Sequence, residues 1–198
     1  MIIDFRSDTV TKPTKGMLDA MLKANVGDDV FGEDVSINEL ESLAASLFSM
    51  EAGLFCPSGT MTNQIAIKCH TQPGDEVICD ESAHIYQYEG GGIAFNAGAS
   101  VKLLNGDRGR ITAEQVAASV NADDIHKAHT SLVCLENTSN RGGGSCYDFP
   151  LINRIFKNLF IIIQRFCHVC VLPTLTGEHK YHFILVLYIY LCICCIKF

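Results

Sequence analysis

No basic stripe, and no basic run interleaved with aromatics, occurs anywhere in the sequence. Acidic residues outnumber basic ones, 22 against 15, for a formal net charge of -7. That balance excludes nucleic acid as a partner on electrostatic grounds. Charged residues are few, 19% against 48% apolar, which excludes a disordered chain and predicts a folded interior. No internal repeat is present, so a repeat architecture is excluded as well. Met1 to Val10 carries Asp4, Arg6 and Asp8 and no apolar run, unlike a secretory signal or an Arg-rich, acid-poor transit peptide. The expectation is a cytoplasmic protein with its ten cysteines reduced. Cys56, Cys69, Cys79, Cys134 and Cys146 are expected to act as small buried hydrophobes. The other five crowd into the last 32 residues.

What is there reads, from Met1 to about Ile155, as alternating helices and strands. Met17, Leu18, Met21 and Leu22 share one face of a helix over Lys15 to Asn25, with Gly27 as its stop. Ser36-Ile-Asn-Glu39 reads as a capping box, opening a helix that buries Ile37, Leu40, Leu43, Ala44 and Leu47. Ala52 to Cys56 suits a buried strand, followed by a helix from about Thr60 to His70. Gln72-Pro-Gly-Asp75 is a turn before a strand over Glu76 to Cys79. A helical stretch from Ala83 to Glu89 ends in Gly90-Gly-Gly92. Val101 to Leu104 and Ser131 to Glu136 are further strands, and Thr112-Ala-Glu-Gln115 is a second capping box. This alternation predicts an open α/β fold with a mostly parallel sheet.

Chemistry concentrates at Leu54-Phe-Cys-Pro-Ser-Gly-Thr-Met-Thr-Asn63. A strand ends there in a tight turn and a helix begins at once. Free N–H groups and the positive end of the helix dipole then converge where a phosphate can sit. Gly59 permits close approach, and Ser58 and Thr60 add hydroxyl donors. An ordinary helix cap is the competing reading. His84 lies just beyond a strand's carboxyl end, where ligands of open α/β sheets bind. Its ring suits stacking on an aromatic cofactor or service as a base, against the plainer role of a structural histidine. His126 has less local support, in an irregular stretch before a strand.

Four motifs then resemble the threonine aldolase family in order and spacing. They are Asp4-Phe-Arg-Ser-Asp-Thr-Val-Thr-Lys-Pro-Thr14, Gly27-Asp-Asp-Val-Phe-Gly-Glu-Asp34, Pro57-Ser-Gly-Thr-Met61 and Leu135-Glu-Asn-Thr138. The resemblance covers roughly residues 1 to 155. It implies the large domain of an aspartate-aminotransferase-like fold, with pyridoxal phosphate as cofactor. It also implies retro-aldol cleavage of threonine or allo-threonine to glycine and acetaldehyde, in a homo-oligomer with active sites shared between subunits. Carried over by position, Ser58, Gly59 and Thr60 hold the cofactor phosphate and His84 lies against the pyridine ring. Ser7 lies near the substrate carboxylate, on the resemblance alone, and His126 near the substrate hydroxyl. Phe31, Val35, Thr62 and Ser139 stand where relatives commonly carry tyrosine, proline, glycine and histidine, which bears on substrate preference more than on fold.

Such chemistry needs a lysine to carry the cofactor and a carboxylate at the pyridinium nitrogen. The family's His-x-Asp-Gly-Ala-Arg and Ser-Lys-Gly stretches do not occur here, nor does its arginine clamp for the substrate carboxylate. The expectation is a partial, inactive aldolase domain over residues 1–156, followed by an unrelated apolar, Cys-rich tail over 157–198. Within the tail, Phe183 to Ile196 is too short for the ~20 residues of a spanning helix. Cys167, Cys170, His179 and His182 are spaced too tightly for a common zinc site, and no metal is expected. Intron read-through or a frameshift accounts better for the switch in composition, and it predicts a longer product carrying the missing lysine and aspartate. The alternatives are a non-catalytic partner subunit that binds relatives through a retained dimer surface, and another pyridoxal enzyme acting at the β-carbon of an amino acid.

Overall fold

The computed structural model describes residues 4, 10–48, 50–156, 161–165, 169–176 and 180–188. In chain order they form α1 (Lys15–Lys23), α2 (Val35–Leu47), β1 (Ala52–Cys56), α3 (Gly59–His70), β2 (Glu76–Asp80) and α4 (His84–Gln87). A π-helical turn at Ile93–Ala97 leads to β3 (Ser100–Leu104), α5 (Ala113–Ser119), β4 (Thr130–Asn137) and α6 (Phe149–Phe156). β5 (Ile161–Arg165), β6 (Val169–Thr176) and β7 (Lys180–Tyr188) follow.

The seven strands are ordered β1-β7-β6-β5-β4-β2-β3. β6 runs against both of its neighbours, and the other pairs are parallel. Side chains of a strand alternate between faces, so a sheet covered on both sides divides its strand residues between two cores. Val77, Cys79, Leu132 and Cys134 join Ala66 and Ile67 of α3 and Ile93 of the π-turn on one face. Ile78, Val133 and Leu135 face the other way, onto Val116 of α5 and Ile152 and Ile155 of α6. The result is three layers, with β2 and β4 almost wholly buried.

Local chemistry sets the helix starts. Thr112 and Gln115 close the expected capping box of α5 reciprocally. At α2 the sequence reading is corrected: Asp34, not Ser36, is the cap, its carboxylate accepting from the N–H of Ile37 at 2.8 Å and of Gly27 at 3.0 Å. Those two N–H bonds hold the Asp34 carboxyl below its ordinary range. Ser36 donates instead to the Asn25 carbonyl. Gly27 does not end α1, which is capped at Ala24. It sits where a Cβ would lie 2.3 Å from the Glu33 carbonyl oxygen, so the chain around Asp34 closes only over glycine.

Other expectations of burial hold only in part. On α2 Ala44 is buried as expected, while Leu43 and Leu47 are exposed; α1 buries none of its residues. In β1 only Cys56 is buried, because the strand lies at the sheet edge. Cys69 and Cys146 are exposed, unlike Cys56, Cys79 and Cys134. The helix expected over 83–89 is the single turn α4. Residues after 156 carry no period in the sequence, yet their backbone supplies three strands inside the sheet; interior strands read as continuous apolar runs rather than alternation. No helix among the described residues is long and apolar enough to cross a membrane.

Candidate active site

β1, β2 and β4 run in one direction, so the segments that follow them emerge at the same end of the sheet. Ser58 follows β1 as the cap of α3, in extended backbone, and its Oγ accepts from the N–H of Met61 at 3.0 Å. A helix's first N–H groups have no acceptor within the helix, which leaves those of Gly59 and Thr60 directed out of its end. Ser58 and Gly59 are half-buried and Thr60 is exposed. Two backbone donors, two hydroxyls and the positive pole of a 12-residue helix thus face solvent together.

His84 opens α4, beyond the carboxyl end of β2. Its own N–H donates to Glu136 Oε2 at 2.9 Å, while Glu136 Oε1 accepts from the N–H of Asn140 at the same distance. The carboxyl end of β4 is thereby tied to the His84 segment. The imidazole Nδ1 lies 3.2 Å from Glu89 Oε1, and its side chain is 38% exposed while that of Glu89 is fully buried. The hydrogen bond to Glu89 raises the His84 pKa above 6.5; burial opposes the rise, and the charges of Glu89 and Glu136 add to it. Tyr88 stands beside the imidazole, ring centres 5.5 Å apart, and carries the Arg141 guanidinium 4.9 Å above its ring and a hydrogen bond from it.

The sequence candidates separate in space. Ser58, Gly59, Thr60 and His84 lie at the carboxyl end of the strands. His126 lies before β4, exposed, with its N–H on the Asp124 carboxylate. An eight-residue strand spans about 26 Å, so within one chain His126 and His84 sit at opposite ends of the sheet. Ser7 lies outside the described residues, as do Cys167 and His179. Sequence reasoning gave no role to Glu89, Asn63 or Gln64. It quoted Glu136 in a motif without assigning it a task. Their one signal is indirect: Glu89 directly precedes three glycines, where a buried carboxylate is unexpected.

An open, mostly parallel α/β sheet with a helix N-terminus and a carboxylate-bound histidine at its carboxyl edge defines the class. Within it, the chain belongs to the beta-eliminating lyase family, whose profile matches residues 4–158. It is 43% identical over 140 residues to the low specificity L-threonine aldolase of Escherichia coli, covering 70% of this chain and 42% of that protein. It is 46% identical over 141 residues to the Saccharomyces cerevisiae protein of that name, covering 68% and 36%. The chain thus spans less than half the length of these relatives. Among solved structures, the threonine aldolase of Leishmania major superposes with a TM-score of 0.65 at 20% identity, over 79% of this chain and 47% of that one. A putative L-allo-threonine aldolase from Listeria monocytogenes gives 0.63 at 20% identity, over 77% and 44%.

Proposed function

We propose that this chain is the cofactor-holding part of a pyridoxal-phosphate-dependent lyase that cleaves threonine or allo-threonine to glycine and acetaldehyde. The observation that carries the reading is the α3 N-terminus facing solvent at the same sheet edge as His84, in a chain 43–46% identical to low-specificity L-threonine aldolases. The donor set fits a phosphate, and a half-exposed imidazole fits the face of a pyridine ring. When bound, the cofactor supplies an electron sink for the pair released as the Cα–Cβ bond breaks. Ser58 and Thr60 hydroxyls and the Gly59 and Thr60 N–H groups bind the phosphate dianion. His84 packs on the ring and holds a proton acceptor at Nε2. Ser7 binds the substrate carboxylate. His126 serves the substrate hydroxyl from a neighbouring copy, since its own site is a strand's length away.

The lysine that carries the cofactor is not supplied by Lys102, whose amine lies at the opposite end of the sheet beside Asn121 and Glu76. No lysine of the sequence stands in the family's Ser-Lys-Gly context, and on that ground the reading is that the chain by itself binds the cofactor without turnover. Partnership with a longer relative is the second reading, and the exposed apolar face of α1 supports it.

Titration of pyridoxal phosphate into the purified chain, followed by its absorbance and by phosphorus NMR, tests the proposal. Saturable binding is expected. Removing both hydroxyls (Ser58→Ala with Thr60→Val) should weaken it roughly a hundredfold or more, since each hydrogen bond to a charged group contributes about 1.5–3 kcal/mol. No saturable binding, or equal affinity in the double variant, overturns the cofactor assignment. Glycine and acetaldehyde formed from allo-threonine by the chain alone would overturn the statement that it does not turn over.

A further inference from the structure

Glu89 carries a fully buried side chain just before three glycines. A carboxylate removed from water is costly unless its lone pairs are met by donors. Here three donors converge. Asn63 Nδ2 reaches Oε1 and Gln64 Nε2 reaches Oε2, each at 2.6 Å, and His84 Nδ1 lies 3.2 Å from Oε1. Both amides are buried and belong to α3, one turn beyond Ser58 and Gly59.

The amide of Gln64 is itself oriented. Its Oε1 accepts from Asn96 Nδ2 at 3.3 Å, so its NH₂ is the side turned to Glu89. Room for it is kept by Gly92, where a Cβ would stand 2.5 Å from the Gln64 amide carbon. An ionised carboxylate only accepts, so His84 Nδ1 must be the donor. The imidazole is thereby fixed in one tautomer, with Nε2 left for a ligand. Other charged and titratable groups around the ring are Glu136, which takes the His84 backbone N–H, and Tyr88, whose ring carries Arg141.

We propose that Glu89 is a positioning residue: it holds the His84 imidazole with Nδ1–H inward and Nε2 outward. Through Asn63 and Gln64 it also couples that ring to the helix whose N-terminus takes the phosphate. The part that concerns a ligand rests on the cofactor reading above. The part that concerns the imidazole does not.

The test is a nitrogen-15 NMR titration of the histidine rings in the whole chain without cofactor, with His84 assigned by its loss in His84→Gln. The wild-type ring is expected as the Nδ1–H tautomer, with a midpoint above the ordinary 6.5. Glu89→Gln should release the ring to the Nε2–H form and lower its proton affinity at least tenfold, while Glu136→Gln shifts it less. Where Glu89→Gln does not fold, the exchange Gln64→Glu with Glu89→Gln keeps donors facing acceptors and moves the charge off His84, so it should keep the Nδ1–H tautomer while lowering the midpoint. A wild-type Nε2–H tautomer, or a tautomer and midpoint unmoved by either variant, overturns the proposal. Cofactor titration separates the two readings. If the wild type binds none but the NMR pattern holds, the cofactor reading falls and the Glu89–His84 assignment stands. If the cofactor binds and Glu89→Gln leaves its affinity unchanged, the coupling to α3 is overturned.

Discussion

His84 shows how one side chain answers to groups far away in sequence. Its ring is bound by Glu89, in the loop after α4, and its backbone by Glu136 of β4, so two carboxylates act on it. Linkage gives this a measurable sign. The folded pKa is raised, so the pair's contribution is complete below about 6.5, the unfolded value, and is lost as pH rises through the folded value. The urea midpoint should therefore fall between pH 6 and pH 8.5 by more in the wild type than in His84→Gln; equal slopes would contradict the pairing. From the sequence, the positions of Ser58, Gly59, Thr60 and His84 just beyond strand ends were legible because strand-end turns announce themselves locally. Glu89, Asn63 and Gln64 were not, because a buried polar cluster depends on which amides the fold brings within 3 Å, and no local pattern encodes that.

Among the elements, those whose start is written in short-range chemistry matched the reading best. α5 begins where its box predicts, with Thr112 Oγ1 accepting from Gln115 N–H at 3.2 Å and Gln115 Oε1 from Thr112 N–H at 2.8 Å. Thr112→Ala should cost about 1 kcal/mol, seen in urea denaturation, because an N-cap hydroxyl contributes about that much. A loss below a few tenths would mean that α5 is held by Val116 in the core and not by its cap. α2 misled because two capping residues stood two positions apart. Asp34 prevails by satisfying two backbone donors where Ser36 reaches neither. The apolar stripe of α1 was read as a stripe, and none of it is buried. Periodicity identifies a face, but only the surrounding molecule supplies something to cover it.

For the molecule as a whole, the alternation of elements was enough to predict the α/β class and the parallel sheet. Strand order was not, since pairing between distant strands leaves no mark on either. Backbone amide exchange can check that order. β2, β3 and β4 pair among themselves, and their amides should remain protected in a chain ended before residue 180, whereas those of β1, whose one described neighbour is β7, should not. Unchanged protection in β1 would place it beside another strand. This edge position also has a consequence during synthesis. At roughly 5–20 residues per second, β1 leaves the ribosome on the order of ten seconds before β7 exists. For that interval the backbone donors and acceptors that β7 will take stand open beside the exposed Leu43, Leu47 and Leu54, a nascent surface suited to a chaperone, and at high expression to aggregation.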